Sequence, residues 1–148
     1  MPSHTVPARR PTPVVVGRPR VNGELPDDDE RAQITLTGIA SAFAAGAEVV
    51  IVAPGYGSGQ RFSGNLTLET FAMLANEIGT FRTAEWESDS AVRFDLADGV
   101  VAYVLWEGAV LPSSVTSPVR QVTYLGEESM IAAAEVAGDL PLLVITGG

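Results

Sequence analysis

Glu48-Val49-Val50-Ile51-Val52-Ala53-Pro54-Gly55-Tyr56-Gly57-Ser58-Gly59-Gln60 is the stretch on which the fold turns. Val49 to Val52 is an unbroken β-branched run. Such a run suits a strand covered on both faces, because a half-solvated strand alternates with polar residues. Pro54 and the glycines after it end the run abruptly. It is too short to span a bilayer. The stretch predicts the central strand of an α/β sheet, with a glycine loop at its carboxyl end.

Upstream, Pro26-Asp27-Asp28-Asp29-Glu30 reads as a helix start. Asp27 can cap, and the acids behind it sit where the helix dipole is positive. The stripe Ala32, Leu36, Ile39, Ala40, Phe43, Ala47 has helical spacing, and Gly46 closes it. Gln33–Gly38 alternates like a strand, and Gly38 costs a helix interior about 1 kcal/mol, but the longer stripe favours helix. Val14-Val15-Val16-Gly17 is the first strand, preceded by an extended arm over 1–13 holding Pro2, Pro7, Pro11 and Pro13.

Downstream, Asn65 or Thr67 caps a second helix with Leu68, Phe71, Leu74, Ala75 and Ile78 on one stripe, stopped by Gly79. Phe81–Ser90 is polar and acidic, a loop or an edge strand. Val92, Phe94 and Leu96 then alternate with Arg93 and Asp95. Asp98-Gly99 is a type I′ turn signal, and Val100–Trp106 returns as the second arm of a hairpin. Pro112–Pro118 is a loop and Val119–Leu125 a strand. Glu127 and Glu128 open a short helix carrying Met130, Ile131, Ala134 and Ala137, closed by Gly138. Leu140–Ile145 is a last buried strand. The order β-α-β-α-β-β-β-α-β predicts an α/β fold, with α+β as the alternative. The expected architecture is a mixed β-sheet with about three helices packed on it, one domain over 14–148 behind the arm.

The chain of 148 residues contains no cysteine and no lysine, and its single histidine is His4. That inventory removes disulfides, Schiff bases, the P-loop lysine, Ser–His and Cys–His pairs, and Cys/His zinc sites. No Gly-x-Ser-x-Gly elbow occurs either. Carboxylates, hydroxyls, tyrosines, arginines and backbone N–H groups remain. No apolar run is long enough for a membrane span, and the first ten residues lack an apolar signal core. The expected location is the cytoplasm or the inside of an assembled particle, with no membrane partner.

Charge is divided sharply along the chain. Residues 1–20 hold Arg9, Arg10, Arg18 and Arg20 and no acid, a charge of +4. Residues 21–148 hold five arginines against all eighteen acids, or −13, and the whole carries −9. A basic arm on an acidic body is a pattern for interaction. Phosphate is repelled by such a body, so nucleic acid is expected only through the arm.

Three further groups are candidate sites. Gly55, Tyr56, Gly57, Ser58 and Gly59, with Arg61, can offer backbone N–H groups and a guanidinium to a phosphate or carboxylate. Their G-x-G-x-G spacing is not the dinucleotide fingerprint, and the next helix starts too late to aim its dipole at the loop. Val52-Ala53-Pro54-Gly55-Tyr56-Gly57 resembles the strand-end loop of the NADP-binding domain of proton-translocating transhydrogenases over this short stretch alone, and no function is carried over from it. Asp27-Asp28-Asp29-Glu30 lacks the alternation and central glycine of a calcium loop and reads as a solvated helix cap. Glu85, Glu87 and Asp89, with Asp95 and Asp98, can gather on one strand face for acid–base work or magnesium, or can simply solvate and protect an edge strand. Trp86, Trp106, Tyr103 and Tyr124 read as core or half-buried sheet residues.

Together these features predict a non-enzymatic structural or assembly subunit without cofactor or metal. It forms a homo-oligomer or larger particle, such as a phage tail or head–tail component, and its partners are copies of itself or other subunits. Arg9, Arg10, Arg18 and Arg20 dock on an acidic neighbour. The alternative is a small α/β module or enzyme that binds a phosphate or nucleotide through Gly55–Gly59.

Overall fold

The computed structural model describes residues 13–16, 28–52 and 66–147. It opens with a strand–helix–strand unit: β1 (Pro13–Val16), α1 (Asp28–Ala44) and β2 (Val49–Val52). β1 and β2 pair in parallel, Pro13 opposite Val49 and Val16 opposite Val52, as a crossover through a helix requires. The helical stripe is where the sequence puts it: Ala32, Leu36, Ile39 and Ala40 are buried, and Phe43 is half-buried against them. Gly46, at φ 101°, closes α1. Its N–H donates to the Phe43 carbonyl and that of Ala47 to the Ala42 carbonyl, the paired bonds of a Schellman cap.

α2 (Leu66–Ile78) packs beside α1. Behind it come β3 (Thr83–Ser88), β4 (Ala91–Asp95), β5 (Val101–Leu105), β6 (Val119–Thr123), β7 (Glu128–Ile131) and β8 (Leu142–Thr146). These form one six-stranded sheet in the order β3-β4-β5-β8-β6-β7, with every pairing antiparallel. The architecture is therefore α+β, with two α-helices among the described residues where about three were expected. β2 is not the centre of the large sheet; it pairs with β1 in a separate two-stranded sheet. A β-branched run reports that a strand is covered, not how many neighbours it has. The central place belongs to β5 and β8, whose sequences Val-Ala-Tyr-Val-Leu and Leu-Leu-Val-Ile-Thr are nearly as apolar.

The expected hairpin forms, with Phe94 opposite Ala102 and Val92 opposite Val104. Asp98 (φ 60°) and Gly99 (φ 75°) both hold positive φ, as the turn type demands. The expected helix over 127–138 does not form. Glu128–Ile131 is instead the edge strand β7, with Glu128 opposite Val122 and Ile131 opposite Val119. A tight turn through Gly126 (φ 84°) folds it back on β6, and only a 3-10 turn at Ala133–Glu135 remains helical. Phe81–Ser90 resolves in favour of an edge strand.

Two apolar layers hold the sheet. On one face Val92, Phe94, Ala102, Val104, Val122 and Leu143 meet both helices through Leu36, Ile39, Leu74 and Ile78. Phe81 links this layer edge-on to Phe43 (4.8 Å) and Phe94 (5.2 Å). On the other face Tyr103, Leu105, Val119, Leu142 and Val144 are covered by Leu111, Ala133 and Val136 from the connections flanking β6 and β7. Gly138 pins that cover: its N–H donates to the Ala109 carbonyl at 2.8 Å and its carbonyl accepts from the Gly108 N–H at 2.8 Å. A Cβ there would stand 2.9 Å from the Leu105 Cβ.

Polar contacts fasten the helices. Tyr124, just past β6, donates its hydroxyl to Asp29 at 2.8 Å, and its carbonyl accepts from the Thr70 hydroxyl at 3.0 Å. Asp29 also accepts from Gln33, so the acidic helix start is partly a tether and not wholly a solvated cap. Arg120 of β6 reaches Glu77 of α2 with two hydrogen bonds, 2.7 and 2.9 Å, and Glu128 of β7 with a third at 2.9 Å. Among the described residues no helix is long and apolar enough to cross a membrane.

Candidate interaction surface

The glycine-loop residues Gly55, Tyr56, Gly57, Ser58, Gly59 and Arg61 lie outside the described residues, as do Arg9, Arg10, Arg18, Arg20 and the predicted cap Asp27. The carboxylates of the third candidate are described, and they do not converge. Glu85 lies opposite Arg93 in the β3/β4 ladder, and the ladder slips between Trp86 and Ser88, so Glu87 sits at an irregularity and Asp89 in the turn beyond. Asp98 occupies the distant β4/β5 turn. No group of three acids, histidines or cysteines among the described residues is placed to hold a metal ion.

Asp95 is engaged in structure. It accepts from the Thr83 hydroxyl at 2.7 Å and from the Arg93 guanidinium at 2.9 Å. These bonds, the hydroxyl first and Arg93 second, hold its carboxyl below the usual range, and the bond to Asp95 raises Arg93. Tyr103, opposite Arg93 on the same face, is pushed up by burial and by Glu87 and Asp95 against the opposing pull of Arg93. Arg93 is thus committed to the Asp95 carboxylate, and Tyr103 is buried on the same face.

What the fold leaves available is edge and charge. β3 pairs only with β4 and β7 only with β6, so among the described residues the outer backbone of both is free to accept another strand. Met130 on β7 is 69% exposed. Of the body's four described arginines three are spent, Arg31 buried, Arg93 on Asp95 and Arg120 on Glu77 and Glu128, and Arg82 is exposed. The acids are outward: Glu69, Glu85, Glu87, Asp89, Asp98, Glu107, Glu127, Glu135 and Asp139 are all exposed.

Two tryptophans stand within this acidic surface. Trp86 on β3 and Trp106 just past β5 come together edge-to-face at 6.0 Å, although twenty positions separate them. The hairpin register does this, and the Trp106 N–H donating to the Ser90 carbonyl at 3.0 Å fixes it. Trp106 is half-buried against the helix-side core, whereas Trp86 is 46% exposed, so the pair is a shelf and not a core element. Each indole lines its own hollow. One holds Trp86, Glu87, Ser88 and Asp89; the other holds Trp106, Glu107 and Asp139 beside Gln33, Ile34 and Thr37 of α1. Glu107 sits at φ 51°, a left-handed conformation costly for glutamate, with Gly108 at 79° completing the turn. The sequence held one signal for this shelf: both tryptophans are flanked directly by glutamate, in Glu85-Trp86-Glu87 and Trp106-Glu107.

A second apolar feature lies between the helices. The predicted α2 stripe is only partly buried: Leu74 and Ile78 enter the core, while Phe71 and Ala75 stay exposed. With Ile39, Phe43 and Phe81 they line a shallow groove.

Compared with protein family models, curated proteins and solved structures, the chain matches none.

Proposed function

We propose that this chain is a non-enzymatic assembly subunit that associates with copies of itself, its basic N-terminal arm docking on the acidic body of a neighbouring copy. A phage tail or head–tail component is one form such a subunit takes. The reading is carried by one observation: most of the body's described acids are exposed, whereas of its four described arginines Arg31, Arg93 and Arg120 are buried or paired within it and Arg82 alone is exposed. The chain's concentrated supply of complementary charge is Arg9, Arg10, Arg18 and Arg20. The outer edges of β3 and β7, unpaired among the described residues, support the same reading, since an open edge lets a neighbour add hydrogen bonds to those charges.

Deleting residues 2–12 leaves β1 in place and tests the reading by size exclusion with light scattering. The expected result is an oligomer for the full chain at low salt and a smaller species after deletion. A monomer both before and after deletion would refute it.

A further inference from the structure

We infer that the shelf formed by Trp86 and Trp106 is the docking site for Arg9 and Arg10 of a second copy. This rests on the proposed function and names the place of contact. The indoles carry the argument. Arginine is the cation that stacks on an aromatic face while its N–H fork still reaches carboxylates. Each indole here comes with two exposed carboxylates in its hollow, Glu87 and Asp89 beside Trp86, Glu107 and Asp139 beside Trp106. Among the described residues no arginine lines either hollow. Two separate hollows, each with an indole and two acids, can take two arginines that project to different sides of an extended segment.

The arm suits the role. Arg9-Arg10 is bracketed by Pro7 and Pro11 with no acid nearby. Pro11 biases Arg10 toward extended backbone, so little conformational freedom is lost on docking. Residues 1–20 contain no carboxylate to satisfy these cations locally.

The experiment uses the chain's own reporters, because Trp86 and Trp106 are its only tryptophans. Intrinsic fluorescence and light scattering are followed over protein concentration for the full chain, for Arg9→Glu with Arg10→Glu, and for Glu107→Arg with Asp139→Arg. The expected result is a blue shift of emission as the native chain associates. Each double variant should weaken association at least about tenfold and leave emission red-shifted. Mixing the two variants, one with an intact shelf and one with an intact arm, should restore association and the blue shift. Association that needs the arm yet survives the shelf variant, with emission unmoved, would overturn the shelf while sparing the proposed function. Emission that depends on the arm but not on concentration would place the arm on its own body and overturn docking between copies. A native chain that stays monomeric would overturn both.

Discussion

The Arg120 clamp yields the sharpest quantitative test of how the helical layer is held. Glu77→Gln removes the charge that receives two of its three hydrogen bonds while keeping the side chain's shape. The Glu77 side chain is 15% exposed and that of Arg120 35%, so the pair lies between surface and core. A surface ion pair contributes about 0.2–1 kcal/mol, and a hydrogen bond to a charged group about 1.5–3 kcal/mol. With Arg120 a third open to water, the Glu77 arm is worth about 1–2 kcal/mol. The Glu128 arm, 55% exposed at the carboxylate, is worth a few tenths. For a chain of this size 1 kcal/mol moves the midpoint by about 2–4 °C, so Glu77→Gln should lower it by roughly 2–8 °C. The pH dependence carries an independent sign. The hydrogen bonds from Arg120 hold the Glu77 carboxyl below its ordinary 4.5. Its contribution is therefore complete above the unfolded value and lost as pH falls through the lowered one. Thermal unfolding by circular dichroism from neutral pH down through 4.5 should show the native and Glu77→Gln curves converging at the acid end. Parallel curves at every pH, or a Glu128→Gln cost as large as that of Glu77→Gln, would refute the reasoning.

Other substitutions probe other links. Gly138→Ala should destabilise by about 1–3 kcal/mol in chemical denaturation, because its Cβ would press on Leu105 and the start of Trp106. Glu107→Gly should raise stability by about 0.5–1 kcal/mol by relieving the left-handed backbone, while weakening self-association measured by light scattering. Phe94→Ala, at the meeting point of sheet and helices, should cost about 3–5 kcal/mol in the same assay. Phosphate and nucleotides should leave the thermal midpoint unchanged. A ligand at a hundred times its dissociation constant would add about 2.7 kcal/mol, and such a shift would assign Gly55–Gly59 a binding role.

The elements legible in the sequence are those whose residues leave the backbone little choice. Asp98-Gly99 supplies two positive φ values and so fixes the hairpin; Gly46 supplies one and so ends α1; the spacing from Ala32 to Ala40 leaves one face for the core. Where four residues fit either period, partners decide. Glu128–Ile131 becomes a strand because the turn at Gly126 folds it back on β6, and the helical spacing of Met130, Ile131 and Ala134 does not reveal that pairing. The run Val49–Val52 announces a strand but not its place, and the longer sheet assembles without it. Phe71 and Ala75 show the same limit in a helix, since a stripe marks residues as apolar without stating that anything covers them. The Trp86–Trp106 shelf was hidden for a geometric reason. Only the register of two successive hairpins brings together side chains so far apart in sequence.

Electrostatic attachment between like subunits is tested by sedimentation of the intact chain over a range of concentrations, at low salt and at about 1 M salt. Raising salt to that level shrinks the screening length to about 3 Å, which cancels attraction between exposed charges but leaves buried contacts largely intact. The expected result is an oligomer that grows with concentration at low salt and falls toward monomer at high salt. A single monomeric species at every concentration and both salt levels would contradict it.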